Sequence, residues 1–471
     1  MIVIGGGLAG LSSAVALAEA GFRVRLLEKR PHLGGRAASY VLPGGEHVDN
    51  CQHVTLGCCT NLEDFYRRVG AADQIRFFDR LLFAAPDGRR GAIASVALPP
   101  PLHMAPSFAF FPLLGWADKR AIAQALLSIA RSGGRPADLS SDTAGENVTM
   151  LAWLQKHRQT DRAIRRFWEV ILVSALDEEL GRIDARYGID VFWKAFLSTR
   201  GGYRVGIPRV PLGELYEGCR KSLAAQGGEV QLRAGVRGFL IADGRVDGVE
   251  REDGTVETAD YYLAAVPQDV LPELLTKEIV EREPVFANLR HLRTSPITGV
   301  HLWFDRTVMS EPFLTLLDST TQWVFNKTQL SGASGAKDGG QYLQLVISAS
   351  YSLAARSRQE IIALCLAELR GVLPVTREAT LVKGTVVKEM SATFSPAPGS
   401  DRWRPAQESP LAGLFLAGDW TMTGWPSTME GAVRSGYLAA EAILSDAGTP
   451  RKLLQPDLRA EGLARLWARS S

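Results

Sequence analysis

The sequence predicts a mixed α/β protein whose nucleotide-binding domain is discontinuous, interrupted by a helical insert and by a second, mixed-sheet unit. Three observations point there. A glycine-rich turn separates the first apolar run from an Ala- and Leu-rich stretch within residues 1–20. A second glycine-rich stretch follows the apolar run Leu414–Ala417. Between them, helical periodicity dominates residues 60–200 and β-type runs dominate residues 228–390. A chain of 471 residues is also too long for one simple core. The expected division is 1–75, 205–275 and 405–447 for the nucleotide-binding domain. It leaves 76–204 for a helical unit facing substrate and membrane, 276–404 for a β-sheet substrate unit and 448–471 for a tail.

Taken in order, Met1–Ile4 reads as a short buried strand and Leu8–Ala20 as a helix closed by Gly21. Phe22–Leu27 alternates as a second strand ending at Glu28, which makes a βαβ start of Rossmann type. Helical periodicity marks Asn61–Val69, Asp118–Arg131, Leu151–His157 and Ala163–Ala175, with a Gly/Pro/Ser loop at Ser132–Gly145. Gly228–Asp253 holds three β-like runs with turns at Asp243-Gly244 and Asp253-Gly254. Tyr261–Val266 is a further apolar run, stopped by Pro267. Residues 295–390 alternate strands with one helix, Ser357–Gly371, and Ser331–Gly340 reads as a hairpin tip. After Asp446 the chain is polar and basic, and partial disorder is expected.

Composition narrows the function. Apolar residues make up 46% and charged residues 22%, an ordinary globular balance. The net charge is +2, from 53 basic and 51 acidic residues, so nucleic acid is not an expected partner. The five cysteines, Cys51, Cys58, Cys59, Cys219 and Cys365, are scattered and odd in number. They suggest a reducing compartment rather than a disulfide framework, and the adjacent Cys58 and Cys59 lack metal-site spacing; no metal is expected. No leader and no apolar run of spanning length is visible. The expected location is the cytoplasm.

The first chemical motif is Gly5-Gly6-Gly7-Leu8-Ala9-Gly10, placed between strand and helix. Gly5 permits the tight turn, Gly7 the approach of a pyrophosphate, and Gly10 close packing of helix on strand. Glu28 comes 18 residues after Gly10, where a carboxylate accepts from ribose hydroxyls. A purely structural glycine turn does not explain Glu28. A second motif, Gly34-Gly35-Arg36-Ala37, follows closely. A third spans Gly418-Asp419 and Met429–Gly436 (MEGAVRSG).

With these motifs the chain resembles the amine oxidase and phytoene desaturase superfamily of flavoproteins. That resemblance implies FAD, held by a Rossmann-type domain of the amine oxidase (GR2) kind. Arg36 would face the pyrophosphate, Asp419 the ribitol chain, and the helix starting near Met429 the pyrimidine edge of the flavin. Val236 matches the usual backbone contact to adenine. The same resemblance assigns Leu8, Ala9, Lys29, Gly35, Ala37, Gln52, His53 and Val54 to the cofactor's surroundings.

Four segments resemble one branch of that superfamily, the hydroxysqualene dehydroxylases. They are Val48–Asn61 (VDNCQHVTLGCCTN), Val173–Leu180 (VSALDEEL), Gly206–Tyr216 (GIPRVPLGELY) and Gly418–Gly436. Two positions depart: Cys51 stands where Gly is expected, and Asp177 where Asn is expected. The implied substrate is a C30 isoprenoid alcohol and the product squalene, in squalene and hopanoid biosynthesis. An acid would assist departure of the hydroxyl, and reduced flavin would deliver hydride to the allylic cation. His53, Asp49 and Asp177 are the candidate acids, with Glu178 beside them; His53 and Asp49 read equally as loop-fixing residues, Asp177 and Glu178 as solvated ones. Trp420 and Trp425 read as walls of the flavin or substrate site, or as packing. Such a lipid lies in a membrane, so peripheral attachment to the inner membrane is expected, through Phe108, Phe110, Phe111, Leu113 and Trp116. The sequence identifies no electron donor. Rival readings are a desaturase of a long isoprenoid and a non-catalytic prenyl-lipid carrier of the same fold; Arg36 and Asp419 argue against the carrier.

Overall fold

Ile2–Ile4 forms the middle strand of a five-stranded, wholly parallel sheet in the computed structural model, which describes residues 1–135, 139, 148–332 and 339–468. The order across the sheet is Glu229–Leu232, Arg25–Glu28, Ile2–Ile4, Tyr262–Ala264 and Leu414–Leu416. Short strands without polar alternation suit a sheet covered on both faces. Its five strands come from three separated stretches of chain, residues 2–28, 229–264 and 414–416. Most of the Ser132–Gly145 loop and of the Ser331–Gly340 tip lies outside the described residues.

The helices Leu8–Glu19 and Met429–Asp446 pack against each other. Their close approach depends on Gly436: a Cβ there would lie 2.2 Å from Ser12 Oγ and 2.4 Å from the Ala9 carbonyl. The two ends of the sequence thereby meet beside the sheet.

A seven-stranded mixed sheet lies beyond. Its order is Leu381–Phe394, Thr294–Phe304, Gln341–Ile347, Trp323–Asn326, Phe313–Leu316, Arg80–Ala84 and Arg90–Ala94. All neighbours are antiparallel except Phe313–Leu316 with Arg80–Ala84. Residues 80–94, expected within the helical unit, thus extend this sheet; Leu81, Phe83 and Ile93 turn inward at alternate positions and decide it.

The remainder of the insert is helical, with Trp116–Arg131, Met150–Lys156, Glu169–Leu176 and Ala185–Val191 packed around Trp153, Trp168 and Phe192. Two π-helical stretches interrupt it, Ile164–Trp168 and Phe192–Leu197. The tail, expected to be partly disordered, is fixed as far as residue 468. Leu453 and Ala464 are buried, while Leu458, Leu463 and Leu466 stay exposed; the Gln455 N–H donates to Asn61 Oδ1 at 2.8 Å. Among the described residues no helix is long and apolar enough to cross a membrane.

Candidate functional site

At the carboxyl edge of the parallel sheet, Gly5 takes φ +107°, and a Cβ there would stand 2.4 Å from the Ala265 carbonyl. At Gly10 it would stand 2.0 Å from the Gly5 carbonyl. Gly7 is the N-cap of Leu8–Glu19 and offers no side chain to the first-turn N–H groups, and no acidic residue lies in that turn. Those N–H groups, with Leu8 and Ala9 among them, are left for an anion. Glu28 is buried at the end of the neighbouring strand, its carboxylate accepting from the Gly6 N–H at 2.6 Å and the Arg30 N–H at 2.7 Å. Gly35 sits against Gly7, since its Cβ would fall 3.0 Å from the Gly7 Cα. Val236 opens the strand Val236–Ala242, just after Ala234, whose N–H donates to the Glu28 carbonyl at 2.9 Å. The Lys29 side chain turns outward to Glu252, 2.8 Å away, so only its backbone faces this region.

The far motif meets the near one directly. The Arg36 guanidinium pairs with Asp419 and donates to the Ala392 carbonyl at 2.8 Å. The second Asp419 oxygen accepts from Ser427 Oγ. Each carboxylate oxygen retains a lone pair for a sugar hydroxyl. The loop 418–425 is held from beneath by Arg404, a residue that local sequence gives no reason to single out. Fully buried, it donates to the carbonyls of Asp419, Thr421 and Trp425 at 3.2, 2.6 and 2.8 Å. Met429 begins the last helix, capped by Thr428, whose Oγ1 accepts from the Gly431 N–H. The adjoining Glu430 is buried and accepts from Asn61 and Leu62, capping the helix Thr60–Arg68. The open glycine turn, the buried Glu28 carboxylate, Arg36 paired with Asp419 and the helix N-terminus at Met429 supply the donors and acceptors that FAD would use, and the residues fit that cofactor.

The candidate acids are placed differently from expectation. Asp49 is a buried ion-pair member: Lys327 Nζ lies 2.8 Å from its Oδ2, and Ser39 Oγ and the Leu212 N–H donate to Oδ1. Burial acts to raise its pKa, but Lys327 and the other donors outweigh it and hold the carboxyl below its ordinary value. It is an ionised acceptor, not a proton donor. Lys327 also donates to Gln52 Oε1 at 2.9 Å and so fixes the segment 49–54; the sequence gives no hint of this partner. His53 Nδ1 lies 3.3 Å from the Cys51 carbonyl. Burial holds its pKa below the usual value against the upward pull of that carbonyl, so the ring is neutral near pH 7 and a poor acid there.

Asp177 closes the helix Glu169–Leu176 at φ +50° and accepts from the Ala349 N–H at 2.8 Å and Thr393 Oγ1 at 2.9 Å. Burial pushes its carboxyl well up, more than those hydrogen bonds lower it. It faces the β-sheet unit and does not line the cavity described next. Glu178, also read as solvated, is fully buried and accepts from Tyr351 OH at 2.9 Å. Trp420 is core, with its indole N–H on the Val266 carbonyl at 2.9 Å.

An apolar cavity lies between the last helix's N-terminus, the helix Glu169–Leu176 and the mixed sheet. Its walls include Val54, Leu56, Phe83, Ile171, Trp323 and Phe325, together with Trp425, Thr428 and Met429. Gln52 lines it as well. Among the described residues, three charged side chains, Asp190, Lys194 and Glu430, do so. Where the last helix meets this space, the expected flavin edge meets an oily chamber.

Comparison with known proteins agrees. The family model described as flavin containing amine oxidoreductase matches residues 8–444. A 15-cis-phytoene desaturase of Solanum lycopersicum is 28% identical over 463 residues, 95% of this chain and 78% of that protein. The 15-cis-phytoene desaturase of Synechococcus elongatus is 26% identical, covering 94% of this chain and 95% of that one. Among solved structures, an oxidoreductase from Methanosarcina mazei superposes with TM-score 0.73 at 19% identity, over 94% of this chain and 99% of the other. The matched span runs from the helix behind the opening glycine turn to beyond Asp419 and takes in most of the chain: the chain belongs to the flavin-containing amine oxidoreductase family and is an FAD-dependent oxidoreductase.

Proposed function

We propose that the protein reductively removes the hydroxyl of hydroxysqualene to give squalene. The observation that carries this reading is the apolar cavity lined in part by Trp425, Thr428 and Met429, because a long isoprenoid suits walls of that chemistry. Support also comes from the four segments that resemble hydroxysqualene dehydroxylases. Val48–Asn61 supplies Gln52, Val54, Leu56, Cys58 and Cys59 to the wall; Val173–Leu180 supplies Ser174 and Ala175; Gly418–Gly436 supplies Trp425, Thr428 and Met429. The third, Gly206–Tyr216, locks the first through Leu212 N–H on Asp49.

In reduced form the bound flavin would supply hydride. The chain's own tasks are to hold the alcohol carbon against that edge, to keep water out with the apolar wall and to aid departure of the oxygen. A C30 lipid must arrive from a membrane. The exposed side chains Phe110 and Trp116, 85% and 76% accessible, suit a face that rests on one. Phe111 and Leu113, expected beside them, are 2% and 1% accessible and belong to the core.

A second reading is desaturation of a carotenoid-type hydrocarbon, favoured by the names of the curated relatives. The experiment is incubation of the FAD-loaded protein with a reductant and hydroxysqualene, followed by mass analysis. Squalene is the expected product; its absence, with desaturation of phytoene by the oxidised protein, would favour the second reading.

A further inference from the structure

An ion pair faces the oily cavity. Asp190, on the helix Ala185–Val191, accepts from Lys194 at 2.6 Å, and Lys194 belongs to the π-helical stretch Phe192–Leu197. Stretches of this kind recur at functional sites because the extra residue re-aims side chains. Both residues line the cavity and keep accessible surface, 31% for Asp190 and 20% for Lys194. Lys194 Nζ also lies 3.4 Å from Asp457 and 4.6 Å from the centre of the Trp425 ring, which lines the cavity beside the expected flavin edge.

The third charged group of the lining is committed elsewhere, since the Glu430 carboxylate is taken by Asn61, Leu62 and Arg434. Among the described residues, Asp190 Oδ1 has no hydrogen-bond partner, and the ammonium has one N–H beyond its two carboxylates. Burial raises the Asp190 pKa against the opposing charge of Lys194, as expected of a group drawn away from bulk water.

Filling this cavity with a pure hydrocarbon would strip water from both charges and return nothing. An alcohol oxygen answers both, accepting from the ammonium and donating to the free carboxylate oxygen. We infer that Asp190 and Lys194 are the polar anchor that selects an oxygenated isoprenoid over its hydrocarbon, and that they set its hydroxyl beside Trp425. This inference rests on the reading of the cavity as the isoprenoid site and adds the chemical class of its ligand.

The test is equilibrium binding to the oxidised, FAD-loaded protein in detergent micelles, with radiolabelled hydroxysqualene and squalene as probes. The wild type should hold the alcohol roughly 10- to 100-fold more tightly than the hydrocarbon. Asp190→Asn/Lys194→Gln should bring that ratio close to one with flavin content unchanged, and Lys194→Arg should keep most of the preference. If the double variant sheds flavin, Lys194→Gln alone is read in the same way. Equal binding of both lipids by the wild type, or a preference that survives the neutral variants, would overturn the inference and leave the pair a structural tie to Asp457. A Lys194-dependent preference in a protein that makes no squalene would sink the proposed reaction and leave the anchor standing.

Discussion

Arg36 and Asp419, 383 positions apart, share one ion pair at the junction between the first βαβ unit and the last helix. Asp419 is 5% and Arg36 30% accessible, so neither charge is well served by water if the other is removed. By the resemblance, the pair would join the diphosphate end of the FAD site to its ribitol end.

Asp419→Ala should therefore cost about 3 kcal/mol, equivalent to roughly 100-fold in FAD affinity. The ratio of flavin to protein absorbance after gel filtration measures it. Arg36→Met should behave alike. A protein that stays fully yellow in both cases contradicts the assignment.

The Asp49–Lys327 pair makes a prediction about pH. The carboxyl's pKa is lowered in the folded protein, so the pair stabilises above the unfolded value, near pH ~4, and that stabilisation fades as pH falls through the folded value. Asp49→Asn should lower the unfolding free energy at pH 7, measured by urea titration, by about 3 kcal/mol with Lys327 left charged. The difference from wild type should shrink below pH ~4. A pH-independent difference would remove the ion pair as its cause.

Gly436→Ala inserts a methyl where Ser12 Oγ and the Ala9 carbonyl already stand. The helices Leu8–Glu19 and Met429–Asp446 must then separate, at about 1–3 kcal/mol. Thermal unfolding should show a lower midpoint, and flavin should be lost with it because both helix N-termini shift. The neighbouring Gly448, with φ +74° and open space around it, should tolerate Asn.

Phe110→Asp/Trp116→Asp should reduce sedimentation with anionic liposomes by about tenfold or more, since each exposed ring loses its apolar contact with the bilayer. Flavin content and melting temperature should not move. Phe111→Asp, at a buried site packed edge-on against Phe83, should instead lower stability. Unchanged liposome binding by the double variant would reject the membrane face.

What was legible in the sequence was local. The strand–turn–helix start, Glu28 and the Gly418–Gly436 stretch announce themselves through spacing that short-range geometry dictates. Lys327 is silent because its meaning lies 278 residues away, at Asp49. Arg404 resembles any surface arginine until its carbonyl partners gather round it. Lys194 reads as the polar side of a helix, and only the π-helical turn and the neighbouring Trp425 place it at a cavity. The tail misleads for another reason. Its buried anchors, Leu453 and Ala464, are too sparse to form a period.

The most direct measurement is a single-turnover, anaerobic mixing experiment followed at the flavin absorbance near 450 nm. The reduced protein mixed with hydroxysqualene should regain the oxidised spectrum as one squalene forms per flavin. A reduced spectrum that persists with the alcohol, while a carotenoid-type hydrocarbon bleaches the oxidised protein, would contradict the account.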